Sequence, residues 1–117
     1  ILEGKPIDVF NNGKMVRDFT YVEDITDGFL SAIENSFKFE IINLGSGSRV
    51  GLMNYIEAIE RKLKITSIKN FLPLQNGDVP ETWADISKAK RLLDFNPVVK
   101  YEEGVSKFLD WYIDYMK

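Results

Sequence analysis

The feature that most restricts the fold of this chain is residues 41–59, IINLGSGSRVGLMNYIEAI, in which an apolar stretch passes through three glycines into an amphipathic helical pattern. The glycines, Gly45, Gly47 and Gly51, have the spacing G-x-G-x-x-x-G. A strand, a glycine-rich turn and a helix in this order are typical of α/β proteins, and in some of them the turn holds the pyrophosphate of a dinucleotide. The segment either binds a cofactor in this way or only turns the chain.

The sequence that follows favours a turn. A dinucleotide-binding loop is followed about 20 positions later by an acidic residue that binds the ribose. The acidic residue after the next extended stretch, Asp78, lies further away and beyond Pro73, and too few residues remain after it for the βαβ units that flank a cofactor. We therefore predict a strand-to-helix turn in which Ser48 is the N-cap of the following helix.

The remaining pattern predicts a mixed α/β fold with the element order β-α-β-α-β-α-α. Glu23 and Asp24 open the first helix, because carboxylates there suit the unpaired N–H groups and the positive end of the helix dipole. The apolar residues of this helix form one stripe, made of Val22, Ile25, Phe29, Ala32 and Ile33. Strands are predicted at 7–10, 39–44 and 67–74, with a turn of positive φ at 11–13. The other helices are predicted at about 52–63, from 85 or 87 to 94, and from about 103, the last one burying Val105, Phe108, Leu109, Tyr112 and Met116.

Composition limits the chemistry. The 117 residues, 44% of them hydrophobic, predict one domain, 1–117. The chain has no cysteine and no histidine, which excludes disulfides and removes the commonest metal ligands and the commonest general base, so no metal site is expected. The net charge of −3 argues against nucleic acid as a partner. No apolar run is long enough to cross a bilayer, so we expect no membrane partner and a cytoplasmic location. Because the chain begins ILEGKP, without a methionine, we expect it to be part of a longer protein.

Two polar segments, 11–24 and 72–85, contain the candidate ligand-binding residues. The planar guanidinium of Arg17, between apolar neighbours, suits a diphosphate. The carboxylate of Asp78 could accept hydrogen bonds from two vicinal ribose hydroxyls, and Phe10 and Tyr21 offer aromatic faces to a base. The alternative is that Arg17 and Asp78 form an ordinary ion pair without a ligand.

The segments GKPIDVFNNGKMVRDFTYVEDI, INLGSG and LPLQNGDVPETWADISKAKRLLDFNP resemble the C-terminal third of the NAD-dependent nucleotide-sugar epimerase/dehydratase family, which belongs to the extended short-chain dehydrogenases/reductases. The pairing of R-D-F-x-Y-V-x-D with G-D-V-x-x-T-x-A-D carries this resemblance, and the nearest subtype is UDP-glucuronate 4-epimerase. The resemblance implies the small mixed α/β C-terminal portion of such an enzyme, without most of the Rossmann domain. It also implies a UDP-sugar as ligand, with NAD bound by the N-terminal domain. Residues 22–44 would pack against that domain.

The same resemblance implies roles for individual residues. Arg17 would bind the diphosphate of the UDP-sugar, Asp78 the uridine ribose, and Phe10 with the neighbouring backbone would line the uracil site. Gln75 stands where galactose epimerases have a second arginine, so a two-arginine clamp is not expected, in agreement with the glucuronate subtype. The family's cofactor loop lies near the N-terminus of the full protein, and INLGSG resembles the last strand of the large parallel sheet, so the glycine loop is not expected to bind NAD.

No catalytic residue is expected in this chain. The family's base is the tyrosine of a Tyr-x-x-x-Lys motif, and no tyrosine here has a lysine four positions later. The chain alone is therefore expected to be inactive and, with an exposed helix face and strand edge, to self-associate. Three alternatives stay open: a related dehydratase or decarboxylase, a stand-alone nucleotide-binding module, and a protein-interaction domain that uses Trp83 and Trp111.

Overall fold

Two small sheets connect distant parts of the chain in the computed structural model, which describes residues 1–116. The strands are β1 (Ile7–Val9), β2 (Val16–Arg17), β3 (Val50–Gly51) and β4 (Lys69–Phe71). The first sheet pairs β1 with β4 in parallel, with Ile7 opposite Lys69, and the second pairs β2 with β3 antiparallel. The helices are α1 (Val22–Glu34), α2 (Leu52–Leu63), α3 (Ser87–Leu93) and α4 (Tyr101–Tyr115). The fold is mixed α/β, as predicted.

A short 3₁₀ turn, Phe10–Gly13, leads from β1 toward β2. Its two asparagines have φ of 50° and Gly13 has φ of 80°. Asparagine and glycine tolerate this left-handed region better than other residues, so the predicted turn with positive φ is confirmed. The turn changes the direction of the chain at the end of β1, so that β2, the next strand in sequence, does not pair with β1; β1 pairs with the distant β4.

The helices pack in two clusters. In one, α2 contributes Ala58 and α4 contributes Val105 and Leu109, all of them buried. In the other, α3 and the residues around it pack beneath α1 and include Ile86, Ala89, Leu93 and Phe95. The prediction for α4 was partly wrong, because Phe108 and Met116 are exposed. None of the helices in residues 1–116 combines the length and apolar character that a bilayer crossing requires.

Glu60 attaches α2 to the first sheet. Its Oε1 accepts hydrogen bonds from Lys69 Nζ at 2.5 Å and from the backbone N and side-chain Oγ of Ser67 at 2.6 and 2.7 Å. These hydrogen bonds, that of Lys69 foremost, lower the pKa of Glu60 to about 2. The carboxylate therefore stays charged at all ordinary pH values and holds β4, and with it β1, against α2.

Two predictions about helix caps were wrong. The N-cap of α2 is Gly51, whereas the hydroxyl of Ser48 pairs with that of Ser46. Glu23 and Asp24 lie in the first turn of α1, as predicted, but neither caps the helix: Asp24 is buried, and its two carboxylate oxygens accept the N–H groups of Val98 and Val99 at 3.0 and 3.1 Å. Ser48 thus uses its hydroxyl within the loop, whereas the partners of Asp24 lie more than 70 positions along the chain and fasten α1 to the segment before α4.

The predicted strand at 39–44 was also wrong. This segment forms no β-ladder with any other part of residues 1–116, and Phe39 and Ile41 are 80% and 72% exposed. An apolar, β-branched run indicates extended backbone, but a strand also requires a partner for its N–H and C=O groups. The exposed side chains of Phe37 and Phe39 line one cleft together with Phe29 of the α1 stripe, so these apolar groups form a shared exposed surface, to which the neighbouring exposed residues of 37–42 and α1 add.

We expect this surface to make the isolated chain self-associate at high concentration, since large contiguous apolar patches rarely stay in water. Within the α1 stripe, Val22, Phe29 and Ile33 are 65%, 60% and 78% exposed. Ile33→Lys should lower the weight-average mass seen by sedimentation. Thr66→Lys adds the same charge at an exposed position after α2, outside this surface, and should leave the mass unchanged. A monomer at all concentrations, or equal effects of the two variants, would contradict the prediction.

Candidate functional site

The predicted site residues lie beyond the carboxyl ends of the two parallel strands. β1 ends at Val9 and is followed by Phe10, and β4 ends at Phe71 and is followed by the loop with Gln75 and Asp78. The backbone N of Asn12 donates to the carbonyl of Leu72 at 2.9 Å, which holds the two connections side by side. Ligands of α/β proteins commonly bind at this edge of a parallel sheet.

Arg17 and Asp78 form the centre of the site. Arg17 Nη2 donates to Asp78 Oδ1 at 2.9 Å, and Arg17 Nη1 donates to the carbonyls of Val16 and Pro80 at 2.8 and 3.2 Å. The side chains of Arg17 and Asp78 are 27% and 33% exposed, so the pair is fixed by protein contacts but open to solvent. The structure thus brings together the two residues that the sequence singled out.

The other candidates differ in their surroundings. Phe10 is half-buried in the 3₁₀ turn, and Gln75 is exposed, with its carbonyl accepting the N–H of Asp78 at 3.2 Å. Tyr21, the second aromatic candidate, packs closely on Gly104 of α4, and Lys107 Nζ lies 5.1 Å from its ring centroid. The Tyr21 ring therefore contributes to the seam between α1 and α4, and Phe10 remains as the aromatic candidate for the site.

The glycine loop binds a carboxylate of its own chain. Asp18 Oδ1 accepts the N–H of Ser46 at 2.9 Å and its hydroxyl at 2.5 Å, and the hydroxyl of Thr20 at 3.1 Å. Asp18 Oδ2 accepts the N–H groups of Gly47 and Ala84, both at 3.0 Å. The backbone donors that a pyrophosphate would need are thus used internally, which supports the turn role predicted for this loop.

Gly45 is needed for this arrangement for a steric reason. A Cβ at this position would lie 2.7 Å from the Cβ of Ala84 and 2.8 Å from Asp18 Oδ2. Both distances are shorter than real side-chain contacts allow, so only glycine lets the loop approach Asp18 and Ala84. At least one glycine of the sequence that resembles a cofactor loop, Gly45, is therefore explained by close packing within this chain.

The pKa of Asp18 is set more by its hydrogen bonds than by its partial burial. Desolvation by itself would raise the pKa of Asp18, but the hydrogen bonds from Ser46, Ala84 and Thr20 together lower it below its usual value. Sequence reasoning gave Asp18 no role. The one available signal was its position next to Arg17 in an extended stretch, which places the two side chains on opposite sides of the strand.

The segment 78–84 runs beside β2 and meets both of these side chains. The backbone N of Val16 donates to the carbonyl of Pro80 at 2.9 Å, and the N of Thr82 donates to the carbonyl of Val16 at 3.1 Å. Arg17 contacts this segment at Asp78, and Asp18 contacts it at Ala84. The geometry of the Arg17–Asp78 pair is consequently set by the register of 78–84 against β2.

Two clefts of residues 1–116 lie away from this pair. One of about 230 Å³ lies where Phe19 and Tyr55, stacked 3.8 Å apart, meet Tyr101 of α4. Another of about 490 Å³ lies beneath the exposed residues Phe37 and Phe39. Neither is lined by Arg17 or Asp78. In residues 1–116 the site is therefore an open surface, and no group of three acidic side chains there could hold a metal ion.

We expect Asp18→Asn to lower the free energy of unfolding at neutral pH by about 2 to 4 kcal/mol, because charge-assisted hydrogen bonds are lost. The folded pKa of Asp18 lies below its unfolded value, so its stabilisation is present above about pH 4 and is lost as the pH falls through the folded pKa. Urea unfolding should therefore show a wild-type advantage that shrinks below about pH 4. The exposed control Asp27→Asn should stay within about 0.5 kcal/mol of wild type. An advantage that persists undiminished at the lowest pH would contradict this prediction.

Comparison with known sequences relates the chain to longer proteins. Residues 1–45 match the NAD dependent epimerase/dehydratase family. The chain is 49% identical over 114 residues to an uncharacterised protein of Methanocaldococcus jannaschii, and 40% identical over 112 residues to the UDP-glucuronate 4-epimerase of Thermodesulfobacterium geofontis. These matches cover 97% and 95% of this chain but 35% and 34% of the relatives. The chain thus spans about a third of the length of these relatives.

Solved structures agree with the sequence comparison. The UDP-glucuronic acid 4-epimerase of Bacillus cereus, in complex with UDP-glucuronic acid and NAD, is 36% identical, with a TM-score of 0.89 over 99% of this chain and 37% of that chain. The UDP-glucose 4-epimerase of Thermotoga maritima with UDP-glucose is 27% identical, with a TM-score of 0.90 over 99% of this chain and 37% of that chain. The predicted resemblance is confirmed: the mixed α/β fold of this chain matches about 37% of each of these epimerase structures, as expected for a C-terminal portion of the extended short-chain dehydrogenase/reductase fold.

Proposed function

We propose that this chain is the nucleotide-sugar-binding portion of an NAD-dependent UDP-glucuronate 4-epimerase. It holds the UDP moiety while an N-terminal Rossmann domain carries out the reversible oxidation and reduction at C4 of the sugar. The observation that carries the proposal is the Arg17–Asp78 pair at the carboxyl edge of the β1–β4 sheet. Its support is the similarity of the whole chain to UDP-glucuronate 4-epimerases.

Arg17 suits the diphosphate. A guanidinium has five N–H hydrogens, and the contacts with Val16, Pro80 and Asp78 use three of them. The remaining two can donate to phosphate oxygens without breaking the ion pair. Because the other three fix its plane, the guanidinium is already oriented before a ligand arrives, which reduces the entropy lost on binding.

Asp78 suits the uridine ribose. Its Oδ1 accepts both Arg17 Nη2 and the N–H of Val79, at 2.9 and 2.8 Å. This leaves Oδ2 as the acceptor for a ribose hydroxyl, with the carboxylate charge already balanced by Arg17. Phe10, which follows β1 at the same edge, would lie against the uracil, and Gln75 would contact the phosphate side as a neutral donor.

Residues 1–116 do not suit NAD. The amides of the glycine loop already bind Asp18, and the chain contains no Tyr-x-x-x-Lys motif. We therefore assign NAD, which accepts and returns the C4 hydride when bound, to the N-terminal domain. The contribution of this chain is to anchor the ligand. Inversion at C4 requires the sugar ring to turn over while UDP stays fixed. Contacts to UDP, remote from the reacting carbon, hold the ligand without immobilising the ring.

The exposed apolar surface of α1 and 37–42 is proposed to pack against the N-terminal domain. It includes Phe29, Ile33, Phe39 and Ile41, which are too apolar and too exposed for an ordinary monomer surface. The segment 39–44 would gain there the strand partner that it does not have within residues 1–116. The same association would supply the remaining walls of the open site.

Catalysis by the complete gene product tests the proposal. With NAD and UDP-glucuronate it should form the C4 epimer without change in mass, whereas residues 1–117 alone should bind UDP without turnover. Loss of carbon dioxide or water from the product would favour a decarboxylase or dehydratase. Binding of UDP by the complete product without any reaction would favour a nucleotide-binding module, and turnover by the isolated chain would contradict the division of roles.

Ligand truncation tests the two anchoring residues. Arg17→Ala should weaken UDP binding about tenfold or more, equivalent to about 1.4 kcal/mol, and weaken uridine binding much less, because uridine lacks the diphosphate and loses only the support that Arg17 gives to Asp78. Asp78→Ala should weaken both ligands, because both contain the ribose. The control removes a different exposed ion pair, Lys62 with Asp110 between α2 and α4, and should change neither affinity. Calorimetric affinities that do not separate in this way would contradict the assigned contacts.

A further inference from the structure

We propose that Asp18 is a positioning residue for the nucleotide anchor: it fixes the register of 78–84 and so holds Asp78 at Arg17. The expected effect on UDP binding rests on the proposed function, whereas the effect on the Arg17–Asp78 pair does not. Asp18 follows β2 directly, and both of its carboxylate oxygens are occupied by protein donors, among them the backbone N–H groups of Ser46, Gly47 and Ala84. We therefore expect it to act through the protein backbone and not by touching the ligand.

The first step concerns the two ends of the segment. Asp78, at its start, contacts Arg17, and Ala84, near its end, donates its N–H to Asp18 Oδ2. Between them the segment has two backbone hydrogen bonds with Val16 and the Pro80 contact of Arg17, and the half-exposed side chain of Arg49 pairs with Glu81 and lies over Trp83. A ladder this short leaves its register weakly specified unless a side chain fixes one end.

The second step concerns what Asp18 is itself attached to. Its other partners, Ser46 and Gly47, belong to the turn that leads into β3, the strand that pairs with β2. One carboxylate thus fixes both flanks of β2: the β3 side through the glycine loop and the 78–84 side through Ala84. Loss of its charge would loosen both flanks together, because amides donate more strongly to a carboxylate than to a neutral amide oxygen.

The experiment compares two buried or half-buried carboxylates that each accept two or more backbone N–H groups. Asp18→Asn in the complete gene product should raise the UDP dissociation constant at least about tenfold. The matched variant Asp24→Asn weakens its bonds to Val98 and Val99, which join α1 to the segment before α4 and do not involve 78–84. It should lower the urea midpoint as well but change UDP affinity less than about twofold. Equal effects on affinity at equal loss of stability, or no effect of Asp18→Asn, would overturn the proposal.

A mutant cycle tests the route of the effect. In the background Arg17→Ala with Asp78→Ala, Asp18→Asn should change UDP affinity less than about twofold, because the contacts that it positions are gone. An undiminished effect would overturn the proposal. If Asp18→Asn does not fold, Ser46→Ala removes one donor to Asp18 and should act in the same direction with smaller size.

A readout without ligand separates this inference from the proposed function. The ¹⁵N resonances of the Arg17 side chain report its ion pair with Asp78, and Asp18→Asn should move them toward those of a free arginine while Asp24→Asn should not. If the wild-type protein fails to bind UDP, the proposed function fails, yet this spectrum still decides the role of Asp18. Unchanged Arg17 resonances in Asp18→Asn would overturn it.

Discussion

The rest of the site depends on the hydrogen bonds that the carboxylate of Asp18 accepts. It accepts hydrogen bonds from the glycine loop at Ser46 and Gly47 and from the distant loop at Ala84. The strands that these contacts surround are only two residues long, too short to hold a fixed geometry through backbone pairing alone. The hydrogen bonds to this one carboxylate therefore fix the positions of segments that a longer sheet would otherwise hold through backbone pairing.

The same carboxylate explains why the sequence imitates a cofactor site. A glycine-rich turn before a helix exposes N–H groups that suit an anion, whether the anion is a pyrophosphate or a side chain. In this chain the anion is internal. The glycine-rich sequence indicates that the turn suits an anion, but it does not show which one. Here the anion is the side chain of Asp18, 28 positions before Ser46 in the chain.

Periodicity predicted α1, α2 and α4 correctly, because an apolar stripe at 3.6-residue spacing depends on local sequence alone. The positive φ of the Asn11–Gly13 turn was predictable for the same reason. The strand at 39–44 was not, since a strand exists only where another strand pairs with it. The Arg17–Asp78 pair was suggested by residue chemistry and by family resemblance. The contacts of Asp18 and Asp24 were not predictable, because most of their partners are backbone groups far along the chain.

The contacts that define the site join residues far apart in sequence: 61 positions from Arg17 to Asp78, and 66 from Asp18 to Ala84. The parallel pairing of β1 with β4 closes a loop of similar length. Such closures cost entropy before any contact compensates for it, so they form late and together. A growing chain therefore cannot complete the proposed nucleotide site until residue 84 has joined the fold, so ligand affinity would report on the formation of these distant contacts.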